Sequence, residues 1–369
     1  MLDKIGHKYS RKIFKQIKSS FSVQFVDEKV TPFPPPVNNK FTFIDLFAGI
    51  GGFRIALQDL GGKCLFSSEI DKYAAETYSI NFGDMPVGDI REIDASTIPN
   101  HDVLAAGFPC QAFSIAGKRG GFEDTRGTLF FEIARIINIK RPKIFILENV
   151  KGLMNHDKGR TISTILEVLR TDLGYTVPPP KVLNASDFGV PQKRQRVIIV
   201  GFREDLDASV FNYPAPLRKK SSIKDILEED PVSVKYYLSE TYLKSLKLHK
   251  ERHKNKGNGF GYEVKEGCDL ANAIVIGGMG KERNLVKDER LTDLKPVTNI
   301  KGKVNSEYLR RMTPREWARL QGFPDNFVIP VSDVQAYKQF ANAVPIPVIR
   351  EVAVRALKTL EMHNFAFTA

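Results

Sequence analysis

Cysteine is scarce in this chain: there are three among 369 residues, Cys64, Cys110 and Cys268. An odd, sparse set is no disulfide framework, and no pair has the spacing of metal ligands, so no metal is expected. The chain reads as resident in a reducing compartment. Long apolar runs are missing as well. No stretch is apolar for long enough to span a bilayer. The segment MLDKIGHKYSRKIFKQIKSS carries basic residues without the apolar core of a signal peptide. These absences point to a cytoplasmic protein. Internal repeats and low-complexity tracts are lacking too, apart from one proline run. Acidic residues are in deficit: 43 Asp and Glu against 55 Lys and Arg give a net charge of +12. That excess suits a polyanionic partner such as nucleic acid, or a solvated basic surface.

What is present reads as an enzyme-sized α/β protein. Hydrophobic residues make up 42% of the chain, enough for one large domain or two ordinary ones. Residues 1–40 read as an N-terminal extension. A short basic helix is expected first, and TPFPPPVNNK after it is a Pro-rich linker that cannot continue it. Such an arm either contacts DNA or is simply solvated. From Phe41 the pattern changes. FTFIDLF, GKCLFSSEID, HDVLAAGFPC, PKIFILENV and RQRVIIVGF are apolar strand candidates with helical stretches between most of them. That alternation predicts a mostly parallel sheet with helices on both faces. The rhythm breaks near Pro214. Beyond it lies a basic, loop-rich stretch, and helical signal returns at TPREWARLQ and IPVIREVAVRALKTLEM.

FIDLFAGIGGFRIAL places a strand, a Gly-rich turn and a helix in sequence. Gly49, Gly51 and Gly52 permit tight backbone geometry and close approach of a ligand. The next strand candidate ends in Glu69 and Asp71, and an acid there can hold ribose hydroxyls or stay solvated. The pattern suits a nucleoside-containing cofactor and does not separate a nicotinamide dinucleotide from S-adenosylmethionine. Asp89 and Ile90 follow the next helix, where they can reach an adenine.

GFPCQAFSIAGKRGGFEDTRGTLFFE is the most informative segment. Cys110 follows Pro109 where an apolar strand gives way to a loop, and open α/β sheets place their chemistry at such strand ends. A lone Cys is usually buried and inert, but Lys118, Arg119 and Arg126 nearby favour a thiolate. Cys64 and Cys268 keep the inert reading. Glu148 ends the strand PKIFIL, so it is expected at the same sheet edge. A partly buried carboxyl there tends to keep its proton near neutral pH and suits a general acid; a helix N-cap or salt-bridged acid is the alternative. Arg194 and Arg196, two apart in an extended segment, point the same way. They can hold a pyrimidine carbonyl, a phosphate or a carboxylate.

Taken together, these blocks resemble the bacterial DNA cytosine-5 methyltransferase family over about residues 41–355. FIDLFAGIGGF resembles the family's cofactor turn, GFPCQAFS its nucleophile loop, ENV its acid and QKRQR its Arg pair. RRMTPREWARLQGFP resembles its domain-joining helix and QFANAVPIPVI its final cofactor contact. KERHKNKGNGFGYE, IVIGGMGKERNLV and TNIKGKVNSEYLRRMTPREWARLQGFPD resemble the HpaII-type subgroup, whose target is CCGG; relatives with similar stretches modify CCNGG or CCWGG. One block departs. Ala341 stands where the family usually has glycine, and a positive φ there would cost on the order of 1 kcal/mol.

The resemblance implies a Rossmann-like S-adenosylmethionine-dependent methyltransferase domain over residues 41–214 and 330–369. A smaller target-recognition domain is expected over 215–329. It implies that Cys110 adds to carbon 6 of a flipped-out cytosine, that Glu148 engages ring nitrogen 3, and that Arg196 binds the ring carbonyl with Arg194 in support. The donor is expected against Phe47, Gly49, Gly51, Gly52, Glu69, Ile70, Asp89 and Ile90, with Pro109, Leu129, Asn342 and Val344 closing the pocket. Ser114, Lys118 and Arg119 are expected to meet DNA from a loop that closes over the base. Lys281 and Arg283 are candidates to read guanine or to touch only phosphate. The implied partners are duplex DNA and a functionally paired restriction endonuclease, with the protein itself a monomer. Competing readings are an RNA cytosine-5 methyltransferase, a non-enzymatic DNA-binding regulator and a nicotinamide oxidoreductase. The last leaves the Cys, Glu and Arg blocks unexplained.

Overall fold

Every residue of FTFIDL except Thr42 is buried, as a strand covered on both faces requires. The computed structural model describes residues 31–109, 129–217, 221–291 and 302–368. In it this segment is β1, Phe41–Leu46. There follow helix α1, Gly52–Gln58, strand β2, Gly62–Ser68, and helix α2, Lys72–Phe82. Helix α2 begins where the Asp71 carboxylate accepts from the Tyr73 and Ala74 N–H groups, and it stops at Gly83, whose φ of 80° ends the helical ladder. The main domain continues with β3, Val103–Gly107, α3, Leu129–Lys140, β4, Ile144–Val150, and α4, Arg160–Glu167. Strands β5, Lys181–Asn184, β6, Gln192–Lys193, and β7, Gln195–Phe202, come next.

The main sheet runs β2-β1-β3-β4-β7-β5. The first four strands are parallel, while β7 is antiparallel to both β4 and β5. Successive strand residues feed opposite faces. Phe43, Ile144 and Ile146 pack with α1 residues Phe53 and Leu57, whereas Ile44, Phe145 and Leu147 pack with α3 residues Phe130 and Ile133. This two-layer covering is the expected α/β arrangement. Each fully buried side chain of this size contributes roughly 1.5–3 kcal/mol. The chain leaves β1 for β2 on one side and crosses back to β3 on the other. That reversal opens a crevice at the carboxyl ends of β1 and β3, where such sheets bind ligands.

The loop-rich stretch forms a smaller unit. It holds helix α5, Glu240–Asn255, strands β8, Val264–Lys265, β9, Ala271–Asn272, β10, Leu285–Lys287, and β11, Leu309–Arg311. Strands β11, β10 and β8 make a sheet, and β9 pairs with β6 of the main domain. Leu238, Leu243, Leu246, Leu285 and Leu309 form a separate small core. Helix α6, Pro314–Leu320, starts with a reciprocal cap between Thr313 and Glu316. Its Trp317 and Leu320, with Phe323 and Phe327 beyond it, pack in the core of the main sheet. Helices α7, Asp333–Asn342, and α8, Ile346–Thr368, complete the chain. Part of the Pro-rich segment is anchored: the Phe33 ring lies 5.7 Å from Phe82 and 6.1 Å from Phe327. Among the described residues no helix is long and apolar enough to cross a membrane.

Candidate active site

The carboxyl ends of β1, β3 and β4 open into a cavity of about 490 Å³. The turn after β1 forms its first wall. Phe47, Gly49 and Gly51 all have positive φ, at 55°, 56° and 87°. For phenylalanine that backbone is strained, a feature that concentrates at functional sites. The turn is pinned from β2. The Ala48 N–H donates to the Ser68 carbonyl at 2.9 Å, and the Gly49 N–H donates to Glu69 Oε2 at 2.8 Å. The other carboxylate oxygen of Glu69 accepts from the Asp71 N–H at 2.7 Å. Each oxygen therefore keeps a lone pair for a hydroxyl on the cavity side. Burial raises the Glu69 pKa, opposed by these two N–H groups.

Phe47, Gly49, Gly52, Glu69 and Ile70, expected against the donor, line the cavity. Ile70 is 69% exposed, so its side chain is free to cover a flat ring. Asp89 and Ile90 line it further along; Asp89 is ion-paired with Arg91 and caps the Arg91 N–H. Pro109, Leu129, Asn342 and Val344 close the far side. Gly51 is the exception. It is not in the lining, and a Cβ on it would meet the Phe82 ring at 2.2 Å. Its role is to let the turn lie on α2. A Cβ on Gly52 would lie 2.8 Å from Val344 Cγ2, so the first and last blocks of the motif pack together.

Ala341 departs from what its position in the family's final block suggested. It belongs to α7, it is not among the positive-φ residues, and its carbonyl accepts from Arg194. The methyl group sits on helical backbone, which an L-residue adopts freely, so the anticipated strain does not arise.

Glu148 and Arg196 form the cavity floor. Because β7 runs antiparallel to β4, the start of one strand lies beside the end of the other, with Val150 opposite Arg196. Arg196 Nε lies 2.8 Å from Glu148 Oε1. Glu148 is 8% exposed. Burial raises its pKa, and the Arg196 and Arg194 charges oppose the rise. It is thus a buried acid paired with Arg196, in which burial favours the neutral carboxyl and the guanidinium favours the charged one. Arg194 lines the cavity and turns its two Nη groups to main chain, reaching the carbonyls of Ile274, Ala341 and Ala343 at 3.1, 2.8 and 2.8 Å, while its buried Nε has no partner among the described residues.

Cys110, Ser114, Lys118 and Arg119 lie outside the described residues. Their flanks do not: Pro109 and Leu129 both line the cavity. The Asn149 side chain donates to the Phe108 carbonyl at 2.9 Å and so fixes the chain ahead of Cys110. Cys64 is half-buried, with its sulfur 3.9 Å from the Tyr78 hydroxyl, and burial pushes its thiol up to about 12, which agrees with the inert reading. Lys281 and Arg283 lie away from the cavity. Lys281 Nζ sits 4.0 Å above the Tyr337 ring centroid, and Arg283 holds Glu263 Oε1 with Nε at 3.0 Å and Nη2 at 2.8 Å.

Sequence reasoning missed several contributors. Asn149 stands inside the ENV block, and Gln192 inside QKRQR, yet their partners are distant in sequence. Lys338 on α7 pairs with Asp71 at 2.5 Å across the cavity mouth, and only the fold brings those two together.

Comparison with known proteins matches residues 41–358 to the family described as C-5 cytosine-specific DNA methylase. The chain is 63% identical over 328 residues to the type II methyltransferase M.HpaII of Haemophilus parainfluenzae, covering 88% of this chain and 92% of that one. It is 46% identical over 321 residues to the type II methyltransferase M.DsaV of Dactylococcopsis salina, covering 87% of each. The S. pombe Dnmt2 methyltransferase structure shares the fold, with a TM-score of 0.68 at 19% identity over 87% of this chain and 99% of that one.

Proposed function

Since the chain belongs to the C-5 cytosine-specific DNA methylases, we propose that it methylates carbon 5 of a cytosine within CCGG in duplex DNA. The observation that carries the catalytic reading is the buried Glu148–Arg196 pair on the floor of the same cavity whose wall holds Glu69. A neutral carboxyl and a fixed guanidinium suit the two polar edges of a pyrimidine ring. The CCGG target rests on the recognition stretches and on the 63% identity to M.HpaII.

Carbon 5 of cytosine is a poor nucleophile. The Cys110 thiolate forms a bond to carbon 6, while Glu148 gives a hydrogen bond or its proton to ring nitrogen 3 and Arg196 holds the ring carbonyl. Electron density then reaches carbon 5. S-adenosylmethionine, when bound, supplies one methyl group on positively charged sulfur to carbon 5. A base removes the carbon 5 proton, the electron pair restores the ring double bond, and Cys110 departs as thiolate. For the cofactor, Glu69 would offer its remaining lone pairs to ribose hydroxyls, Ile70 would cover the adenine, Asp89 and Ile90 would reach its edge, and Asn342 and Val344 would close the pocket. The base must leave the duplex, at a cost of a few kcal/mol offset by phosphate contacts. Ser114, Lys118 and Arg119 are assigned to those contacts. Type II relatives suggest a cognate restriction endonuclease, and one site with one recognition unit suits a cytoplasmic monomer.

The test is transfer of labelled methyl from S-adenosylmethionine to tRNA and to duplexes carrying CCGG, CCAGG, GCGC or none of these, with Cys110→Ala in parallel. Label on CCGG alone, lost in the variant, is expected. Label on another duplex would overturn the target, and label only on RNA would overturn the substrate.

A further inference from the structure

Helix α5 leaves the small core partway along its length. Leu243 and Leu246 are its buried residues, and none of residues 247–255 is buried. A helical stretch that is polar all round gains little from packing, yet this one is held by rings. His249 and His253, one turn apart, lie with ring centroids 4.4 Å apart. Phe260, from the chain returning after the helix, meets them edge-on at 6.0 and 5.4 Å. Gly257 makes the return with a φ of 77°, and its N–H donates to the Lys254 carbonyl at 3.0 Å. Lys250 Nζ rests 4.7 Å above the Tyr262 ring centroid.

The two imidazoles differ in their hydrogen bonds. His253 Nδ1 lies 2.7 Å from Asn258 Oδ1, an oxygen that can only accept, so Nδ1 carries the proton of the neutral ring. Asn258 is fixed in turn, its N–H donating to the His253 carbonyl at 3.1 Å. The lone pair of His253 is therefore on Nε2. His249 Nδ1, by contrast, is buried with no partner among the described residues. A second proton on the His249 ring would leave a buried donor unpaired, which is unfavourable. Burial, with His253 and Arg252 beside it, holds the His249 imidazole below its usual range. A proton added at His253 Nε2 breaks no existing bond.

At helical spacing Arg252, His253 and Lys256 fall on the same side as His249, with Lys250 and Lys254 next to them and Glu251 on the far side. The returning residues 257–262, which include Asn258, Phe260 and Tyr262, carry no acid. This side of the helix end is therefore basic and unneutralised, which suits a polyanion. We propose that Arg252, His253 and Lys256 form a phosphate-contacting stripe for duplex DNA, and that His253 takes up one proton from solvent at Nε2 when a phosphate oxygen binds there. This rests on the reading of duplex DNA as the substrate. Phosphate oxygens accept from all three groups, and negative charge beside an imidazole favours its protonated form. The affinity gained is full below the pKa of the free chain and is lost as pH rises through the higher value in the complex.

The experiment measures dissociation constants by fluorescence anisotropy at about pH 6 and about pH 8, and over a salt series. The probes are a duplex with CCGG, a duplex without it and an RNA hairpin. The wild-type chain is expected to bind both duplexes at least about fivefold more tightly at the lower pH; one linked proton allows at most about tenfold per pH unit. His253→Asn keeps a donor toward Asn258 and removes Nε2, so its ratio falls toward one while its affinity at the higher pH changes little. Arg252→Gln combined with Lys256→Gln should make the salt slope shallower by about 1–2 on both duplexes alike, since phosphate contacts carry no sequence information. An unchanged pH ratio in His253→Asn, or an unchanged salt slope in the charge variant, overturns the proposal. A loss confined to the CCGG duplex would make the stripe a base reader, and a loss confined to the hairpin would make it an RNA contact; either overturns it. The three side chains are exposed or half-buried, so the variants are expected to fold, which circular dichroism checks. A wild-type chain that methylates CCGG with no pH ratio overturns the stripe and leaves the function standing. One that transfers no methyl to any DNA overturns the function instead.

Discussion

The Asn149 side-chain amide donates to the Phe108 carbonyl oxygen at 2.9 Å, with both groups buried, two residues before Cys110. The bond links the end of β4 to the chain leaving β3. It therefore sets where the nucleophile loop departs relative to Glu148. Asn149→Leu leaves the carbonyl unpaired, at a cost of about 1–3 kcal/mol in stability. It also frees the loop root, and small misplacements of reacting groups lower rates by up to about a hundredfold. We expect kcat on CCGG duplex to fall by roughly 10- to 100-fold while S-adenosylhomocysteine affinity shifts only a few-fold. Steady-state kinetics and calorimetry separate the two effects.

Burial raises the Glu148 pKa above the ordinary carboxylate range despite Arg196 and Arg194. Between its unfolded and folded pKa values the native state therefore holds a proton that the unfolded chain has lost. Stability contributed by this group is full below its unfolded pKa of about 4.3 and is lost as pH rises through the folded value. Catalysis follows the same sign, because the ring nitrogen needs that proton. A pH series should show kcat falling on the alkaline side of the folded pKa. Glu148→Gln should be at least about a hundredfold slower and should lack that alkaline limb. An identical pH profile in the variant would assign the limb to another group.

Much of this site was legible because its parts lie at strand ends. The Gly-rich turn and Glu69 are separated by one helix and one strand, so their meeting follows from the local βαβ pattern. Glu148 and Arg196 could each be placed near a sheet edge. Their contact depends on β7 running against β4, and periodicity carries no strand direction. Gly51 reads like its neighbouring glycines, yet it faces Phe82 and not the cavity. Only packing distinguishes them. Ala341 was the reverse. Comparison by position suggested a glycine-like loop, while the chain forms helix up to Asn342.

Glu69 accepts from Gly49 and Asp71, one N–H on each carboxylate oxygen. A glutamine side chain has a single acceptor oxygen, so Glu69→Gln must turn its NH2 toward one of these donors. Loss of a hydrogen bond to a charged group costs about 1.5–3 kcal/mol. The turn that forms the cavity wall loosens, and a ribose acceptor is lost with it. Cofactor affinity is expected to fall by roughly 10- to 100-fold. Titration calorimetry with S-adenosylhomocysteine checks this, and an unchanged affinity would remove Glu69 from the binding site.

Ala341→Gly restores the residue found in related final blocks. Since Ala341 lies on helical backbone near the end of α7, glycine gains nothing there and loses conformational entropy. We expect a stability loss of about 0.5–1 kcal/mol, or a Tm lower by roughly 1–3 °C. A higher Tm for the glycine variant would mean that the loop prefers a positive φ after all. Scanning calorimetry gives the sign directly.

Arg310 joins the β11-β10-β8 sheet to the main domain. It is fully buried on β11. Nε lies 2.9 Å from Asp288 Oδ2, and Nη1 and Nη2 lie 2.8 Å from the two oxygens of Glu316 at the start of α6. Removing one partner from such a buried network leaves charges uncompensated and typically costs 3–5 kcal/mol. Arg310→Met should therefore lower the unfolding free energy by about that amount. Glu316→Gln, which keeps the shape and cap, should cost less. The acid limb gives a second sign. Burial raises the Asp288 pKa, but Arg290 and Arg310 pull it down to about 2. A depressed carboxylate contributes stability above its unfolded pKa of about 3.9 and loses it as pH falls toward the folded value. Wild-type stability should decline between about pH 4 and pH 2. In Arg310→Met the decline should be shallower, since half of the charge that holds Asp288 ionised is gone. Urea unfolding at several pH values tests both statements. A steep acid limb in the variant would show that Arg290 alone holds the carboxylate and that Arg310 serves mainly Glu316.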